Sequence, residues 1–230
     1  MVRTFVMGDV HGAYKALRQC LDRAHFDYSS DHLICLGDVC DGWPDTKLCI
    51  DELLKIKNLT YILGNHDIWA LNWMKTKVAG EIWTSQGGTA TVISYAEEIP
   101  ISHIQFLERA RPYVVLNNKL FVHAGIDLNR PLEQQGIETF SWDRSMIQKA
   151  WVLFRNEVKN VKLTTFDEVY IGHTPIPFEA PQQSCEIWMM DTGAGWAGVL
   201  SMMNIETKEV FVSDSVPSLY PGIEGRMKRK

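Results

Sequence analysis

Short apolar runs alternate with helically spaced segments along the first third of this chain. Val2–Met7, His32–Leu36 and Thr60–Leu63 are runs of the length and residue type of buried strands, and each ends in Gly-Asp or Gly-Asn. Between them, Tyr14, Leu17, Leu21 and Ala24 recur at helical spacing from Ala13 to about His25. Leu48, Leu53, Leu54 and Ile56 do the same from Lys47 to Lys57. The strand–loop–helix rhythm predicts a sheet with helices packed on it. The middle reads as mostly helical, with Ile68–Val78 and Ser102–Arg111 clearest and Pro100 marking the start of the second. The pattern then changes. Tyr113–Leu116 and Leu120–Val122 flank Asn117-Asn118, which predicts a hairpin. Later strands are expected at Glu168–Ile171, Glu186–Met190, Val199–Asn204 and Val210–Ser213, the last two joined by a turn at Glu206-Thr207-Lys208. No linker or repeat divides the chain, so residues 1–216 are expected to form one domain. Residues 217–230, ending in Lys228-Arg229-Lys230, are expected to be a flexible basic tail.

Composition narrows this picture. The 230 residues are 46% hydrophobic and 22% charged, with a formal net charge of −5. These values exclude a disordered chain, a collagen-like repeat and a coiled coil. The mild negative charge, without a basic stretch before the last residues, argues against a nucleic-acid partner. No apolar run approaches the roughly 18 residues of a membrane helix, so no membrane partner is expected. The first residues lack the pattern of a signal peptide. The five cysteines (Cys20, Cys35, Cys40, Cys49, Cys185) are odd in number and form no C-x-x-C pair. They read as reduced thiols of a cytoplasmic protein. The oligomeric state is not readable.

The chemistry lies at the strand ends. Gly8-Asp9-Val10-His11-Gly12, Gly37-Asp38-Val39-Cys40-Asp41-Gly42, Gly64-Asn65-His66-Asp67, His123-Ala124-Gly125 and Gly172-His173-Thr174 each follow an apolar run. At average residue usage a given window matches Gly-Asp-x-His-Gly only about once in 10⁵. Carboxylate and amide oxygens mixed with imidazole nitrogens are the donor set of a two-metal site. Asp9 and His11, two residues apart, can face one ion. Asp38 is the candidate bridging carboxylate, and Asn65, His123 and His173 complete the second ion. Two such ions generate a nucleophile from water at neutral pH and clamp an in-line phosphoryl displacement.

Taken together, the five motifs resemble those of the calcineurin-like metallophosphoesterases, and among them the phosphoprotein phosphatase type, from residue 4 to about residue 212. The small size is similar to that of the bacterial and phage members. The resemblance implies an α/β fold, a central β-sandwich of mixed sheets flanked by α-helices. It implies Asp9, His11 and Asp38 on the first ion, and Asp38, Asn65, His123 and His173 on the second. The ions are expected to be Mn²⁺, with Fe or Zn²⁺ as the other options. It further implies His66 as the general acid and Asp41 as the carboxylate that orients it. The substrate implied is a phosphoserine or phosphothreonine protein or peptide, hydrolysed by a metal-bridging hydroxide.

The chain departs from the family pattern at two points. Asp41-Gly42-Trp43 stands where the family has Asp-Arg-Gly, so an arginine able to grip two phosphate oxygens is missing. The third motif ends in Asp67 rather than Glu. Trp142-Asp143-Arg144 resembles a Trp-x-Arg segment of small bacterial members, making Arg144 a candidate phosphate clamp or, alternatively, a surface ion pair at a helix start. Trp43 is either a pocket wall or a packing residue, Trp69 and Trp73 fit a core stripe better than a substrate platform, and Arg130 is a weaker anion candidate. Two other activities are weighed: dinucleoside polyphosphate hydrolysis of the diadenosine tetraphosphatase kind, and a metal-bearing phosphate sensor without turnover.

Overall fold

The computed structural model describes residues 2–96 and 98–226. Among these, two five-stranded sheets pack face to face. The first has the order β10-β9-β1-β2-β3, from Thr4–Met7 (β1), His32–Cys35 (β2), Asn58–Tyr61 (β3), Ser201–Asn204 (β9) and Val210–Val212 (β10). The second has the order β4-β5-β6-β8-β7, from Tyr113–Leu116 (β4), Lys119–Val122 (β5), Glu168–Ile171 (β6), Gln182–Ser184 (β7) and Ile187–Met189 (β8). The α/β class and the sandwich of mixed sheets expected from sequence are those observed.

Strand alternation builds the layers. Val6, Ile34, Phe121 and Tyr170 face inward between the sheets, and Phe121 stacks on Tyr170 at 4.8 Å. Their neighbours Phe5, Met7, Leu33 and Cys35 face the other way, against helices α1 (Tyr14–Arg23), α2 (Thr46–Leu53), α3 (Asn65–Thr76) and α6 (Ile101–Glu108). Leu120, Val122, Val169 and Ile171 face α7 (Ile137–Trp142) and α8 (Ser145–Arg155). Successive residues of a strand point to opposite faces, and both faces of these strands are buried, which explains their unbroken apolar runs. The β4–β5 hairpin turns at Asn117 and Asn118, both left-handed with φ of 49° and 57°, as a two-residue hairpin turn requires.

Strand direction places the chemistry. β1, β2 and β3 are parallel, and so are β5, β6 and β8. The residues that follow them, Asp9, Asp38, Asn65, His123, His173 and Asp191, therefore leave the sandwich at one edge. Between α3 and α6, α4 (Glu81–Trp83), a π turn (Thr84–Gly88) and α5 (Thr89–Ser94) cover the loop after β2. No described helix is long and apolar enough to cross a membrane. All five cysteines are free, and four are buried.

Strand β7 and helices α7 and α8 are not among the expected elements, β3 runs two residues earlier than expected, and two further differences bear on the site. Helix α3 begins at Asn65 rather than Ile68, so Asn65 and His66 lie on its first turn. The reason is Asp67, whose carboxylate accepts the backbone N–H of Gly64 at 3.1 Å and starts the helix three residues early. The segment after Val216 is anchored at Tyr220 and touches the domain again at Gly225 and Arg226, with residues 221–224 exposed between them. Val216–Leu219 forms α9, and Tyr220 stacks on Trp43 at 5.2 Å and donates its hydroxyl to Asp45 at 2.7 Å. Trp43 is fully buried and donates its indole N–H to the Ala194 carbonyl at 2.7 Å, so it is a packing residue. The basic run Lys228-Arg229-Lys230 lies outside the described residues. Because Tyr220 is only 3% exposed, Tyr220→Ala should cost about 3 kcal/mol of unfolding free energy in a denaturant titration. An unchanged midpoint would mean the segment adds nothing to the fold.

Candidate metal and phosphoester centre

Four of the site residues occupy left-handed backbone: His11 (φ 50°), Asp38 (φ 52°), Asp41 (φ 73°) and His173 (φ 64°). Such conformations cost on the order of 1 kcal/mol or more each and persist only where neighbours enforce them. Here each backbone N–H is taken by a group of the site. His11 N–H donates to the Asp38 carbonyl at 2.8 Å, Asp38 N–H to the Asp67 carboxylate at 2.8 Å, Asp41 N–H to the Thr91 hydroxyl at 2.8 Å, and His173 N–H to the Asp9 carboxylate at 3.0 Å.

Side chains then converge into two groups that share one residue. Ligand atoms of Asp9, His11 and Asp38 lie within 4.8 Å of one another, and so do those of Asp38, His123 and His173. Asn65 joins the second group, its Oδ1 standing 3.1 Å from His123 Nε2. All six residues are at least nine-tenths buried. A buried carboxylate shared between two sets of imidazole and oxygen donors suits two divalent cations. The approach is tight: a Cβ at Gly64 would stand 2.0 Å from Asp38 Oδ1, so only glycine fits there.

The electrostatics agree with that fit. His11 Nδ1–H faces the Cys40 carbonyl at 3.0 Å and His123 Nδ1–H faces the Leu36 carbonyl at 2.7 Å. These bonds set the tautomers and leave the Nε2 lone pairs for the site. Burial, and then the Arg226 charge, hold His11 well below the ordinary imidazole range. Burial and the neighbouring His123 push His173 down to about 2, and its Nε2 is buried without a hydrogen-bond partner. Burial and then the Asp191 charge raise Asp9. Burial opposes the charges on Asp38 and His123, but their mutual attraction outweighs it. Asp38 sits well below the carboxylate range, and His123 rises to about 10 under the pull of Asp38 and Asp9.

Beside the two groups, His66 Nδ1 meets Asp41 Oδ2 at 2.6 Å, and the His66 ring lies edge-on to His11 at 5.0 Å. Asp41 is fully buried and fixed by two further donors, Trp83 Nε1 at 2.7 Å and the Thr91 hydroxyl at 2.7 Å. Trp69 packs edge-on to His66 at 5.2 Å and is half-buried, whereas Trp73 belongs to the core. Arg144 caps the start of α8 and is exposed, near enough for its charge to lower His173. Arg130 pairs with Asp127 instead.

Sequence reasoning missed several supports. Trp83 and Thr91 lie in no motif and reach Asp41 only through the fold. Asp191 opens an Asp-Thr-Gly segment that resembles the family's late one but carried no expected role; it follows β8 and stands close enough to Asp9 for its charge to act there. Burial and the Asp38 charge raise it to about 6. Arg226 lies in the segment expected to be loose. Asp67 stood inside a recognised motif, and its signal was its place three residues past the helix cap. Among the described residues it meets no arginine. It accepts from the N–H groups of Asp38, Val39, Cys40 and Gly64 and from the Tyr61 hydroxyl. Asp67→Asn turns an amide donor against these donors, so it should cost about 3 kcal/mol of stability and weaken metal uptake, read by thermal unfolding with and without Mn²⁺. A variant as stable as the parent would remove Asp67 from its anchoring place.

A family profile of the calcineurin-like phosphoesterases matches residues 2–196. Serine/threonine-protein phosphatase 1 of Salmonella typhimurium is 26% identical over 206 residues, covering 88% of this chain and 91% of that protein. The symmetrical bis(5'-nucleosyl)-tetraphosphatase of Nitrosomonas europaea is 23% identical over 269 aligned positions, covering 90% and 97%. Among solved structures, that of a candidate diadenosine tetraphosphatase superposes with a TM-score of 0.69 at 18% identity, covering 92% of each chain. With its profile match, its two mixed sheets and its paired Asp/His groups at one sheet edge, this chain belongs to the calcineurin-like phosphoesterases.

Proposed function

We propose that this chain is a metal-dependent phosphomonoesterase that removes phosphate from phosphoserine and phosphothreonine in proteins or peptides. The observation that carries the reading is the buried Asp41–His66 pair beside two donor groups that share Asp38. Asp9, His11 and Asp38 would hold one ion, and Asp38, Asn65, His123 and His173 the other, with Mn²⁺ the expected metal. When bound, the ions supply a nucleophile from water near neutral pH and offset the phosphoryl charge. The chain's own residues do the rest. Trp83 and Thr91 hold Asp41, Asp41 holds His66 at Nδ1, and His66 Nε2 can then give a proton to the departing oxygen. A serine or threonine alkoxide leaves poorly without that proton. Arg144 at the rim can contact the incoming phosphate.

Dinucleoside polyphosphate hydrolysis is the second reading, supported by the Nitrosomonas relative. That alignment is longer than the 230 residues of this chain, so the relative has stretches with no counterpart here. The alignment with the Salmonella phosphatase needs no such excess. The leaving groups also differ. A nucleotide phosphate, with a second pKa of about 6, departs without much help from an acid.

The test is phosphate release from a phosphothreonine peptide and ADP formation from diadenosine tetraphosphate, side by side with Mn²⁺. Preference for the peptide supports the proposal, and preference for the nucleotide overturns it. His66→Ala should lower peptide turnover by about 10²–10⁴ while two ions per chain remain on metal analysis. Its effect should be far smaller on p-nitrophenyl phosphate, whose leaving group needs no proton. Asp38→Ala should empty the site. Loss of metal from His66→Ala would make His66 a ligand rather than the acid.

A further inference from the structure

Arg226 is delivered to the metal-binding edge by the segment after α9. Tyr220, stacked on Trp43, anchors that segment, and the backbone N–H of Arg226 donates to the Gly195 carbonyl at 3.1 Å. The side chain runs over Gly42, where a Cβ would stand 3.1 Å from Arg226 Cγ, so the missing side chain at Gly42 is what makes room for it. The guanidinium lies over the Trp196 ring at 4.8 Å. Its Nη1 donates to His11 Nε2 at 3.1 Å, and its Nη2 to Gln86 Oε1 at 3.4 Å. Its Nε is buried without a hydrogen-bond partner. Among the described residues no carboxylate lies within ion-pairing distance of it.

A guanidinium has five N–H donors in a planar fork. Here it is half-buried, lies over an indole and, among the described residues, is bonded to neutral acceptors. Its charge acts on the Asp191 carboxylate beyond ion-pairing distance, and its fork matches the oxygens of a phosphoryl group. One of its two acceptors is itself provisional. The His11 Nε2 lone pair cannot accept from Arg226 and coordinate an ion at the same time. Filling the first metal position therefore frees Nη1 at the place where a phosphoryl group must sit.

We propose that Arg226 binds the phosphoryl oxygens of the substrate, so that the C-terminal segment completes the active site. This rests on the phosphoester reading above, because it assigns the anion that this arginine meets. Two variants test it, with inorganic phosphate as the probe. Arg226→Met keeps the apolar stem over Trp196 and Gly42, and Arg226→Lys keeps the charge but not the fork.

In the Mn²⁺-loaded protein, titration calorimetry should show phosphate binding weakened by roughly 10–100-fold in Arg226→Met and partly restored in Arg226→Lys. Metal content should stay at the parent value, and KM for the substrate should rise more than kcat falls. Phosphate affinity unchanged in Arg226→Met would overturn the proposal. So would tighter metal binding with phosphate affinity intact, which would make the arginine a guard on the empty first position. A parent that binds phosphate but hydrolyses neither test substrate would sink the phosphoester reading while the calorimetry still judged Arg226.

Discussion

The carboxylate of Asp67 is the point on which the site hangs. It is fully buried beside Asp38, and burial together with the Asp38 charge raises it to about 6. Burying a carboxylate costs several kcal/mol unless donors compensate it. Five donors do so, four of them backbone N–H groups. Three of these belong to the loop after β2 and one to the start of α3. One side chain therefore ties together the two segments that carry Asp38, Asp41, Asn65 and His66. It also enforces the left-handed conformation at Asp38 that aims its carboxylate at both donor groups.

Around this anchor the sandwich acts as a rigid frame. Parallel strands within each sheet send their chain ends to the same edge, and packing both faces of the strands leaves those ends little freedom. The edge collects carboxylates that repel one another. Cations offset that repulsion in the loaded protein. The Asp41–His66 pair is built differently. Its support comes from Trp83 and Thr91 on a cover of short helices, whereas the clustered Asp and His side chains are set by the strand ends.

The chain closes on itself at the same edge. Trp43, in the loop after β2, is locked between the Ala194 carbonyl and Tyr220, and the segment that Tyr220 begins returns Arg226 to His11. Gly42 and the Arg226 side chain are thus packed against one another at this edge. Neither residue explains the other until both are placed.

The amino-acid sequence determined the class of fold and the donor residues of the site, because both are written locally. A strand that is buried on both faces reads as an apolar run, and a liganding Asp, Asn or His reads out beside the glycine that lets the chain turn after it. Asp9, His11, Asp38, Asn65, His66, His123 and His173 were legible for that reason. Three things depended on contacts between segments far apart in the chain. Trp83 and Thr91 reach Asp41 across 42 and 50 residues, and Arg226 reaches His11 across 215. Periodicity and spacing report only what a residue's neighbours in the chain require of it. The partner of a buried charge, and the place of an arginine outside any motif, were decided by the packing of the two sheets and the covering segments, which alone brings those residues within hydrogen-bonding distance.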